Sequence, residues 1–72
     1  MNKIEKSIGQ QAELVYGDSE YHVVRPGTYV VCAVTGVHIP LDELRYWSVA
    51  FQEAYATPEA SLTRVQRARL YR

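Results

Sequence analysis

The stretch Cys32-Ala33-Val34-Thr35-Gly36-Val37-His38-Ile39-Pro40-Leu41-Asp42-Glu43-Leu44-Arg45-Tyr46-Trp47-Ser48-Val49 decides the fold. It holds the only cysteine, the only tryptophan, a tight turn and the densest apolar run of the chain. Thr28 to Val34 leads into it as Thr, Tyr, Val, Val, Cys, Ala, Val, β-prone and apolar on both faces, which predicts a central strand covered on two sides. Thr35-Gly36 closes that strand, and Val37-His38-Ile39 offers a short return. Pro40 has no amide hydrogen and stops the ladder there. Leu41 to Leu44 predicts one helical turn with Asp42 near its start, and Arg45 to Val49 another aromatic strand.

Working outward toward the N-terminus, Arg25-Pro26-Gly27-Thr28 has proline and glycine in the order a type II turn uses. Residues 12–24 predict a hairpin. Leu14 and Tyr16 alternate with their neighbours, Gly17-Asp18-Ser19-Glu20 is a cluster of turn residues, and Tyr21-His22-Val23-Val24 resumes β-rich composition. Residues 1–11 lack either period and are expected as a flexible N-terminal arm, leaving 12–72 as a single small domain.

Toward the C-terminus, Phe51, Ala54 and Tyr55 are spaced as on one helical face. Thr57-Pro58-Glu59 is a helix start: a hydroxyl N-cap, proline at the first helical position and an acid in the first turn. The helix is expected from about Pro58 to Leu70, with Leu62, Val65 and Arg69 or Ala68 turned inward. The expected fold class is therefore α+β: a small antiparallel sheet of about four to five short strands with a C-terminal helix.

A chain of 72 residues buries only about 60% of its unfolded surface, so its core needs support. Cys32 is alone and cannot form an internal disulfide, and one Cys with His22 and His38 falls short of four zinc ligands. Aromatic packing or dimerisation remains. The free thiol, a polar and charged N-terminus unlike a signal peptide, and a longest uncharged stretch broken by proline and glycine lead us to expect a soluble, cytoplasmic protein. Net charge is zero but divided. Residues 1–59 carry four bases against eight acids, whereas residues 60–72 carry Arg64, Arg67, Arg69 and Arg72 and no acid.

Candidate chemistry is sparse. A reactive Cys32 needs a depressed pKa; in an apolar strand an inert core thiol is the simpler reading. His22, His38, Cys32, Asp18 and Asp42 show no tight metal-ligand spacing, and Asp42-Glu43 is explained by capping rather than acid–base work. Arg45 and Tyr46 are the best recognition pair on the sheet, since Arg and exposed aromatics anchor protein partners or stack on bases, whereas Trp47 is expected in the core. Arg64, Arg67, Arg69 and Arg72 form a modest basic patch that can meet phosphates or pair with the acidic body. No enzyme motif is present, and no catalytic residue, cofactor or metal is expected.

The run Pro26-Gly27-Thr28-Tyr29-Val30-Val31-Cys32-Ala33-Val34-Thr35-Gly36, then Ile39 to Val49 and Gln52-Glu53-Ala54-Tyr55-Ala56, resembles a family of small bacterial proteins, mainly alphaproteobacterial, called domain of unknown function 2093. The resemblance spans roughly Ala12 to Arg64 and implies no activity, because the family has none assigned. A second resemblance is to treble-clef and zinc-ribbon modules. Cys32-Ala33-Val34-Thr35-Gly36 keeps the first cysteine and the glycine of a metal knuckle, with Thr35 at the second ligand position. Tyr55-Ala56-Thr57-Pro58-Glu59-Ala60 keeps the frame of the second ligand pair, with Ala56 and Ala60 in place of cysteines. It implies a ribbon-like shape without zinc. The resulting expectation is a non-enzymatic interaction module that binds a protein partner or itself as a homodimer, with no membrane and no small-molecule substrate. The alternative is an accessory RNA- or DNA-binding module that uses the basic helix.

Overall fold

The computed structural model describes residues 9–70, the side chains of 69 and 70 excepted. Six short strands precede one helix: β1 (Glu13–Tyr16), β2 (Tyr21–Arg25), β3 (Tyr29–Val31), β4 (His38–Pro40), β5 (Tyr46–Ser48), β6 (Glu53–Tyr55) and α1 (Pro58–Leu70). A 3-10 turn over Leu41–Glu43 links β4 to β5. The α+β class holds, but the single sheet does not. The strands pair as three separate antiparallel hairpins, β1–β2, β3–β4 and β5–β6. Strands of three to five residues run out of ladder before a third strand can add fully. The hairpins meet through isolated bridges instead: Gln11 with Tyr29, and Cys32 with Ala54.

Several local expectations need correction. The strand expected over 28–34 ends at Val31, and residues 33–35 turn back so that His38–Pro40 can pair with Tyr29–Val31. Ala33 donates its N–H to the Ala54 carbonyl at 2.9 Å, so the chain just after β3 meets β6 where the strand was expected to continue. Gly27 has no positive φ, which rules out the type II turn. Its role is close approach, since a Cβ there would lie 2.4 Å from the backbone of Ala12 and of Gln10. Phe51, Ala54 and Tyr55 are not helical. Phe51 sits in a turn and Ala54 and Tyr55 in β6, where cross-strand pairing of Ala54 with Trp47 overrides the helical spacing. Pro40, and not Asp42, holds the N-cap position of the 3-10 turn, with no side-chain cap bond.

The expected arm 1–11 lies mostly outside the described residues. At its end, Thr28 donates to the Gln10 carbonyl at 2.9 Å and Ala12 to the Tyr29 carbonyl at 2.7 Å. The helix matches its sequence signals: the Thr57 hydroxyl accepts the Ala60 N–H at 3.1 Å, as an N-cap should. Its inner face does not match. Ala60 is buried and Arg64 and Ala68 are half-buried, a stripe at i, i+4 and i+8, whereas Leu62 and Val65 are 58% and 41% exposed.

Val30, Cys32, Ile39, Leu44, Ala54, Tyr55 and Ala60 join Ala12 and Tyr16 in one core, with Trp47 half-buried against it. Trp47 stacks on Tyr16 at 5.9 Å between ring centroids and meets Tyr21 edge-on at 5.8 Å. Its indole N–H donates to the Gly17 carbonyl at 2.7 Å. The aromatic supplement that so small a core needs is thus present.

Candidate functional site

Two places gather chemistry: the turn around Cys32, and α1 with strand β5 beside it. Cys32 is 2% exposed. Its N–H donates to the Val37 carbonyl at 2.9 Å, and its own carbonyl accepts the Gly36 N–H at 3.0 Å. The Thr35 N–H donates to Sγ at 3.4 Å, and the Val37 N–H donates to the Thr35 hydroxyl at 3.4 Å. Gly36 reverses the chain at φ 80°, a conformation that disfavours any side chain. Burial opposes ionisation of the thiol most strongly. The Thr35 hydroxyl and the N–H groups of Thr35, Ala56 and Val34 together outweigh it and lower the pKa to about 7. The sulfur is therefore held by donors from both the turn and the segment before α1, and it is closed to solvent.

Among the described residues, no group of three or more His, Cys, Asp and Glu is placed to hold a metal ion. The histidines sit on different hairpins. His22 lies 3.4 Å from Glu20 at the surface, and His38 stacks on Tyr29 with ring centroids 4.1 Å apart. The methyl groups of Ala56 and Ala60 offer a metal no lone pair.

The expected recognition residues separate. Arg45 is exposed after the buried Leu44, and Tyr46 is exposed on β5 opposite Tyr55. Arg64 turns inward. Its Nε lies 3.0 Å from Glu53 Oε1, its guanidinium sits 4.2 Å above the Phe51 ring, and the Tyr55 hydroxyl donates to the same Glu53 oxygen at 3.1 Å. This network fastens α1 to β6. Burial, and then the bond to Glu53, raise the Tyr55 pKa. Arg67 is exposed, while Arg72 and the Arg69 side chain lie outside the described residues.

The sequence reading missed Gln52. Its φ of 54° is the one positive value of a non-glycine residue among those described. Its side-chain amide accepts the Tyr16 N–H and donates to the Tyr16 carbonyl, both at 2.9 Å, and donates to the Val49 carbonyl at 2.9 Å. One side chain thus stands in for a strand and clasps β1 to the β5–β6 turn. Glutamine in a turn carries no sequence signal for this.

Fold and site together define a small α+β protein of three β-hairpins closed by one helix. It belongs to the family described as Uncharacterized protein conserved in bacteria (DUF2093), whose pattern matches residues 23–64 and so includes the Cys32 turn, the Glu53–Arg64 pair and Gln52, but not Tyr16, to which Gln52 bonds. No curated protein and no solved structure matches the chain. No described helix is long and apolar enough to cross a membrane.

Proposed function

We propose that this chain is a small cytoplasmic, non-enzymatic interaction module, built on a knuckle frame without zinc ligands, that binds a protein partner or itself. The observation that carries the reading is the orientation of α1. Its apolar residues Leu62 and Val65 point to solvent while Ala60 and Arg64 face the body, the reverse of what a merely structural helix needs. Exposed Tyr46 and Arg45 extend the available surface. Support for the frame lies in the donors around Cys32 Sγ, in the bond from Val37 to the Thr35 hydroxyl, and in the Ala56 N–H reaching the sulfur from the position of a third ligand. The test is a pull-down of tagged protein from native cells, scored for protein against nucleic acid, with Leu62→Asp alongside. Protein recovered with the wild type and lost with the variant supports the reading. Recovery unaffected by Leu62→Asp, or of nucleic acid alone, overturns it.

A second reading, nucleic-acid binding, draws on the exposed Arg67 with Arg45 and Tyr46 as stacking groups. It is weakened by Arg64, whose guanidinium is already shared between Glu53 and Phe51. Binding that fails to weaken as salt rises sinks it.

A further inference from the structure

We draw no further inference here: the strongest candidate, the outward face of α1 at Leu62 and Val65, is exposed with nothing among the described residues to show what covers it.

Discussion

The β1–β2 hairpin and the half of the molecule built around Cys32 are made of similar residues and held in different ways. From Val30 to Ala60 the buried side chains are closely knit, with Cys32, Ala54 and Tyr55 at 2% exposure and Val30, Ile39 and Ala60 beside them. No residue of β2 is buried, and Val23 and Val24 are 52% and 60% exposed. The hairpin is attached instead through Tyr16, the Trp47–Gly17 bond and the Gln52 amide. One half rests on many buried side chains; the other on the Tyr16 and Tyr21 rings against Trp47 and a few directional bonds. The hairpin should therefore open locally at lower free energy than the core.

The largest effect concerns the proposed knuckle frame. On the proposed frame, Thr35→Cys, Ala56→Cys and Ala60→Cys together should place three thiolates around Cys32. Zinc should then bind in a 1:1 ratio with an apparent free energy on the order of 10 kcal/mol and raise the thermal midpoint sharply. Cobalt in place of zinc should show the absorption of a tetrahedral thiolate site. A folded triple variant that takes up neither metal overturns the proposed frame.

Next comes the charge state of Cys32. Its folded pKa of about 7 lies below the ordinary thiol value, so the folded state favours the thiolate. That contribution is complete above the ordinary value near pH 9, shrinks as pH falls and is gone below about pH 7. Urea unfolding should therefore show the wild type gaining about 2 kcal/mol between pH 7 and pH 9, with a flat profile for Cys32→Ala over the same window. Equal slopes in the two proteins would mean that burial, which favours the neutral thiol, outweighs the donors.

How much of this could be seen in the sequence follows from the same contrast. The helix start at Thr57-Pro58-Glu59 and the β1–β2 hairpin are set by capping and turn chemistry within a few residues of themselves, and both lie where the sequence places them. The Cys32 turn is equally local, since Gly36 and Thr35 lie within four residues of the sulfur they help to hold. What the sequence leaves open is decided at a distance. Periodicity says that Leu62 and Val65 share a face but not which way the face turns. That is settled by Arg64 reaching Glu53, eleven residues back. The recognition arginines suffer the same ambiguity: Arg64 and Arg67 are neighbours on a helix, yet one faces β6 and the other water. The Gln52 clasp, spanning thirty-six residues to Tyr16, has no local signature at all.

The smallest effect separates the two parts of that clasp. Replacing Gln52 removes three partly exposed hydrogen bonds, each contributing on the order of 0.5 kcal/mol at such a site, while the φ of 54° strains any residue with a Cβ. Gln52→Ala keeps the strain and loses the bonds, and should cost about 1–2 kcal/mol. Gln52→Gly loses both, and should recover up to about 1 kcal/mol of that loss because glycine accepts the left-handed region freely. In both variants amide exchange should quicken first at Leu14, Tyr16 and Val23, with Cys32 and Ala54 protected until global unfolding. Uniform loss of protection would mean that the hairpin and the core unfold as one unit, and that the directional bonds are no weaker a joint than the apolar contacts around Tyr55.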